Sequence, residues 1–193
     1  IVDLENEKVD TIIAKLQSDP ERIQTKAIEI ELWKKIKQNL LNGRRTGLGI
    51  TGLGDMLASL NITYGSDEAI KMTDQVYQLL AINAWYSSVV LASERGAFPI
   101  FDSKLEVNHS FINDILDAGD SIGLRELHQK YGRRNIALLT TAPAGSVSIL
   151  TQTTSGCEPV FMLSYKRRKK INPNNDQTRV DFVDQLGDKW QEF

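Results

Sequence analysis

The sequence predicts a helix-rich α/β fold, and three observations predict it. Runs at helical spacing fill most of the chain. Only two short apolar runs have strand character. Glycine and proline mark the passages between them. Strands so few cannot close a sheet alone, so the predicted architecture is incomplete within this chain.

Taken in order, Glu5 to Gln17 carries Val9, Ile12, Ile13 and Leu16 on one helical face. Ser18-Asp19-Pro20-Glu21 reads as a second helix start, with Ser or Asp as cap and Pro20 in the first turn. Ile23, Ala27, Ile30, Trp33, Ile36 and Leu40 then form an apolar face, and Gly43 is the expected stop. Arg44 to Gly54 is glycine-rich, and Asp55 to Leu60 follows as a short helix. Ser66 caps a long helix whose first turn holds Asp67 and Glu68. Its expected buried stripe is Ala69, Met72, Val76, Leu79, Tyr86 and Val90, and it ends at Glu94-Arg95-Gly96, before Pro99. Asn108 to Gly132 is helical with breaks at Gly119 and Gly123. Ile136 to Thr141 suits a buried strand, followed by a turn at Ala142 to Ser146. Val160 to Tyr165 is a second expected strand, Pro173 to Asp176 a loop, and Val180 to Phe193 a last helix.

Composition narrows the function classes. The 193 residues are 41% hydrophobic and 25% charged, with net charge −2. This is globular composition, and it argues against a basic nucleic-acid binder as a whole-chain reading. No apolar stretch approaches the roughly 18 residues of a membrane span, and there is no secretory signal pattern at the start. One cysteine cannot form an intrachain disulfide or a cysteine-rich zinc site, and two histidines, His109 and His128, are few for a metal enzyme. The chain starts at Ile1 without Met and ends at Phe193 without a stop signal, so it reads as a piece of something longer.

Four stretches could carry chemistry. Gly47-Leu48-Gly49-Ile50-Thr51-Gly52 matches G-x-G-x-x-G, with Asp67 roughly where a ribose-binding acid would follow. The fingerprint needs an apolar strand before it, whereas a lysine-rich helix and Arg44-Arg45 precede it here. A tight passage with close backbone packing fits better. Ala142-Pro143-Ala144-Gly145-Ser146-Val147-Ser148 leaves the expected buried strand. Its small residues would let an anion reach main-chain amides, with Ser146 and Ser148 as hydroxyl donors. The same residues also suit a plain strand-to-helix turn. Cys157, in Thr153 to Pro159, has no neighbouring cysteine or histidine to tune it, which suits a buried inert thiol. Lys166-Arg167-Arg168-Lys169-Lys170 could meet phosphate, or form a solvated strand end.

Three stretches together resemble one family. Arg44 to Asp55 (RRTGLGITGLGD) resembles the arginine–glycine block of ribonucleotide reductase large chains. Glu94-Arg95-Gly96-Ala97-Phe98-Pro99 resembles the family's ERG-x-FP turn after a long helix. Arg134-Asn135 through Phe161 is similar to the pattern RN…APTGTIS…TTSGIEPVF, and order and spacing agree over roughly residues 44 to 170. The resemblance leans toward the adenosylcobalamin-dependent class. It implies a ten-stranded α/β barrel, of which this chain is a C-terminal portion, and thiyl-radical reduction of ribonucleoside di- or triphosphates. It further implies a dithiol reductant such as thioredoxin, an allosteric nucleotide, a cytoplasmic location, and no nucleic acid or membrane partner; a homodimer stays open.

The family's N-x-C-x-E catalytic loop is not in this chain, so no catalytic residue carries over. What carries over is the substrate phosphate loop, onto Pro143, Ala144, Gly145, Ser146 and Val147. Ala144 stands where the family often has Thr, which removes a hydroxyl. Ser146 replaces Thr but keeps one, and Cys157 stands where Ile is common. Two rivals stay open: a helical interaction scaffold docked through the basic run, and another phosphate-handling α/β enzyme.

Overall fold

The computed structural model of the protein describes residues 1–172 and 178–193. The loop expected at Pro173 to Asp176 lies outside them. The chain divides into two compact units, Ile1–Glu158 and Pro159–Phe193.

In the first unit, α1 (Val2–Ser18) packs on α2 (Ile23–Gly43). The ion pairs Asp10–Lys37 and Asp3–Arg44 join residues progressively farther from the connection, so the two helices run antiparallel. Their junction differs from expectation. The Asp19 carboxylate accepts the Glu21 amide and pairs with Lys26, Arg22 takes a left-handed conformation, and α2 starts only at Ile23. Pro20 therefore precedes the helix instead of opening it. At the other end Arg44, not Gly43, adopts the left-handed cap (φ 46°) and donates its amide to Leu40. Gly43 is buried, and a Cβ there would stand 3.0 Å from Ile136 and Arg45 side-chain atoms; close approach, not capping, requires the glycine. Ile30, Trp33 and Leu40 are half-buried, whereas Ile23, Ala27 and Ile36 of the expected face are exposed.

A short helix α3 (Leu53–Ser59) leads to α4 (Asp67–Arg95), where the Ser66 hydroxyl accepts the Ala69 amide as expected of a cap. The buried face of α4 is not the stripe of large residues. Leu79 and Tyr86 are exposed, and Ala81, Ala84, Trp85, Ser88, Val89 and Ala92 are buried. Small residues around Trp85 let neighbouring helices approach closely, which a count of bulky side chains misses. After α5 (Ser103–Glu106), α6 (Ser110–Ala118) and α7 (Leu124–Tyr131) flank a 3-10 turn at Asp120–Ile122, with the breaks at Gly119 and Gly123.

Two apolar clusters result. One joins Ala81, Ala84, Trp85 and Val89 to Ile112, Ile115, Leu116, Leu124 and Leu138. The other joins Leu53, Leu57, Ile62 and Ala69.

Ile136 to Thr141 is not the buried strand expected: it forms only a parallel bridge, Leu48 with Leu139, and of its six residues Leu138 alone is buried. Leu48 donates to Leu138 (2.8 Å) and Thr140 donates to Leu48 (3.0 Å), the bonding of a parallel pair. Beyond it comes α8 (Gly145–Thr151).

The second unit holds β1 (Arg168–Lys170), β2 (Phe182–Val183) and β3 (Lys189–Glu192), antiparallel in the order β1-β3-β2. The helix expected over Val180 to Phe193 is thus a hairpin. Asp184 accepts the Leu186 and Asp188 amides, Gly187 turns at φ 83°, and Phe182 comes opposite Trp190. Val160 to Tyr165 is not a strand either; among the described residues no ladder pairs it. The described strands do not close a barrel. No described helix is long and apolar enough to cross a membrane.

Candidate functional site

The parallel pair delivers the segment Ala142 to Ser148 to its carboxyl end, where ligands of open α/β sheets bind. Pro143 has no amide to donate. Ala144 is half-buried, and Pro143, Gly145, Ser146 and Val147 are exposed. The first main-chain bond of α8 runs from the Ser148 amide to the Ala144 carbonyl (2.7 Å). The amides of Gly145, Ser146 and Val147 lie ahead of it, outside the helix's own bonding. A Cβ built on Gly145 would meet nothing within 4 Å, so the space in front of this backbone is open. The Ser146 hydroxyl faces solvent. The Ser148 hydroxyl is buried and donates to the Gly145 carbonyl (2.9 Å), so it braces the turn instead of serving a ligand.

The glycine block lies against both sides of this segment. A Cβ on Gly49 would stand 2.6 Å from the Thr140 carbonyl oxygen, and one on Gly47 would stand 2.8 Å from the Thr140 methyl. These glycines permit close backbone contact, the tight passage expected of them. Asp67 sits exposed in the first turn of α4, as a helix-start acid does. On the other side, Gly52 donates to the Thr154 carbonyl (2.9 Å), and the Asp55 carboxylate accepts the Thr154 amide (2.7 Å).

A family model described as ribonucleotide reductase, barrel domain, matches residues 22–189. The chain belongs to the ribonucleotide reductase family. A vitamin B12-dependent ribonucleoside-diphosphate reductase of Mycobacterium tuberculosis is 33% identical over 145 residues, covering 72% of this chain and 18% of the relative. A ribonucleoside-diphosphate reductase subunit alpha of Chlamydia pneumoniae is 29% identical over 159 residues, covering 72% and 15%. A vitamin B12-dependent enzyme of Thermoplasma acidophilum is 31% identical over 135 residues, covering 69% and 15%. The chain therefore spans less than a fifth of the length of these relatives.

Within this piece of the ribonucleotide reductase barrel domain, a buried polar network fixes the approach to the loop. Arg133 donates through Nε and Nη2 to the Glu106 carboxylate, and through Nη1 to the carbonyls of Asn135 (2.8 Å) and Ile136 (2.7 Å). His128 Nε2 lies 3.1 Å from the same carboxylate. Burial pushes the Glu106 carboxyl up, but the hydrogen bonds from His128 and Arg133 and the Arg133 charge outweigh it and hold the group below its ordinary value. Beside it, Ser88 donates to Asn135 Oδ1 (3.0 Å), and Asn135 Nδ2 donates to the Arg44 carbonyl (2.8 Å), tying together the roots of the two parallel segments. Glu106 lies 22 residues or more from His128 and Arg133, and the three belong to no motif, so only their burial in the folded chain reveals the cluster.

Cys157 packs at the edge of the cluster of Leu53 and Leu57, and its carbonyl accepts the Tyr64 hydroxyl (2.9 Å), a small apolar role. The basic run lies on and just before exposed β1, and three of its side chains pair within their own unit. Lys166 and Arg168 reach Glu192, Lys170 reaches Asp188, and Arg168 stacks over Phe182.

Proposed function

We propose that this chain is a segment of a ribonucleotide reductase large chain, part of a ten-stranded α/β catalytic barrel, and that Pro143 to Val147 hold the substrate phosphates. The observation that carries the reading is the open backbone at Gly145 to Val147, unbonded within α8 and set at the carboxyl end of a parallel pair. The names of the relatives support a ribonucleoside diphosphate as substrate. In that role the amides of Gly145, Ser146 and Val147 and the Ser146 hydroxyl bind and orient the phosphates. Gly145 keeps the approach clear. Radical chemistry belongs to residues outside this chain, together with a dithiol reductant such as thioredoxin, allosteric nucleotide binding and a cytoplasmic location.

The relatives named vitamin B12-dependent support adenosylcobalamin for the full-length enzyme, where it would supply the initiating radical. The residues of this piece do not fit that cofactor on their own. The clefts measure about 320 to 570 Å³, the size of a drug-like ligand and not of a corrin with its nucleotide arm.

The test is substrate affinity and turnover of Ser146→Ala and Gly145→Val in the full-length enzyme. A hydrogen bond to a charged group contributes about 1.5–3 kcal/mol, so Ser146→Ala should weaken substrate binding about tenfold or more. Gly145→Val should do worse, since it obstructs several amides. With open space around Gly145, that loss would not come from a protein clash. Parent-like binding by both folded variants would reduce the segment to a turn.

A further inference from the structure

We propose that Asp55 is a positioning residue for the candidate phosphate loop, acting through Thr154; this rests on the reading of Pro143 to Val147 as that loop. Asp55 lies in the first turn of α3, where a carboxylate commonly satisfies the helix's own free amides. Here it reaches across instead. Its Oδ2 accepts the Thr154 amide at 2.7 Å, and the Thr154 hydroxyl accepts the Asp55 amide at 3.4 Å. Thr154 is buried, and its carbonyl accepts the Gly52 amide (2.9 Å). Thr153 adds two further bonds: its amide donates to the Ser148 carbonyl (3.0 Å), and its hydroxyl donates to Thr51 (3.3 Å).

On the upstream side the same stretch holds Thr140, whose amide donates to Leu48 and whose carbonyl lies against Gly49. Leu48 to Asp55 therefore grips the candidate loop at both flanks, Thr140 before it and Thr153-Thr154 after it. Asp55 is the charged member of that grip. A site that binds mostly through backbone amides has little side-chain freedom to readjust, so its affinity depends on where the backbone is held. Asp55 is placed to set that position without touching the ligand.

The experiment uses the full-length enzyme and compares the parent with Asp55→Ala and Asp55→Asn, and with Ser146→Ala as the reference for the loop. Alanine removes the acceptor of the Thr154 amide. Asparagine keeps an acceptor but loses the charge that strengthens the bond. The expected result is a graded loss of ribonucleoside-diphosphate affinity, about tenfold for Asp55→Ala and a few-fold for Asp55→Asn, with KM rising more than kcat falls. Inhibition by inorganic pyrophosphate should weaken by the same factors, while competition by the unphosphorylated ribonucleoside stays at the parent level. A merely structural role would lower both competitors together, or the active fraction alone.

Should Asp55→Ala not fold, Asp55→Asn still carries the measurable loss. Parent-like pyrophosphate inhibition in the folded Asp55 variants, alongside weakened inhibition in Ser146→Ala, would overturn the positioning role and leave the loop reading standing. Parent-like binding in Ser146→Ala and Gly145→Val would overturn the loop reading, and the positioning role with it.

Discussion

Every nitrogen of the buried Arg133 guanidinium is engaged within the protein, with Glu106 on one side and two main-chain carbonyls on the other. Its work is to hold the chain entering the candidate loop. Removing Glu106 would strand a buried cation, and breaking such a pair costs about 3–5 kcal/mol. Glu106→Ala should therefore lose stability on that scale in denaturant titrations. The pH dependence follows from the depressed Glu106 carboxyl. Its contribution is complete above the ordinary glutamate value of 4.5 and is lost as pH falls through the lower folded value. Melts from pH 7 down to pH 3 should show the parent losing stability more steeply than Glu106→Gln; parallel curves would refute the linkage. The segment Pro143 to Val147 stands out in the sequence because it is contiguous and mostly small, and its phosphate role is a proposal. Glu106, His128 and Arg133 do not stand out, because the chain brings them together only through α5, α7 and the segment after it.

Among the elements, the passage from α2 to α3 is set by how close two backbones come. A methyl group on Gly49 would press on the Thr140 carbonyl, and neither backbone can yield without disturbing the parallel pair. Gly49→Ala should destabilise by about 1–3 kcal/mol, the cost of overpacking. Gly145→Ala meets open space and should leave the melting temperature within a degree or two of the parent. Equal melting temperatures for the two variants would contradict the close contact. The helices were largely legible, since Ser66, Gly119 and Gly123 are local punctuation that acts wherever it stands. The hairpin of β2 and β3 was not. Its apolar residues also fit helical spacing, and the decision lies with the Asp184-to-Gly187 turn, whose bonds to Leu186, Asp188 and the Trp190 ring nitrogen form only once it folds. The phase of α4 was misread in part for a related reason: Ala69 of the expected stripe is buried, but Leu79 and Tyr86 face out while Ala81, Ala84 and Ser88 face the core with Trp85 and Val89.

For the molecule as a whole, the chain is a minor part of the enzymes it resembles. Cys157 is its only cysteine, and it packs against the Leu53 and Leu57 cluster. The purified 193-residue chain, supplied with adenosylcobalamin and a dithiol, should form no deoxyribonucleotide. In the full-length enzyme Cys157→Ala should retain substantial turnover. Turnover at background would give this cysteine a redox role after all. The long helix α4 carries a different consequence. Near its start Ala69 belongs to one apolar cluster, and from Ala81 to Val89 it belongs to the other. At 1.5 Å per residue it is a rod of roughly 43 Å shared by both. Melting of either cluster should fray a wall of its neighbour, so the two are expected to unfold as one cooperative foldon. Slow hydrogen exchange should run unbroken along the buried face of α4, with no weak point between the cores at which the unit could open by halves.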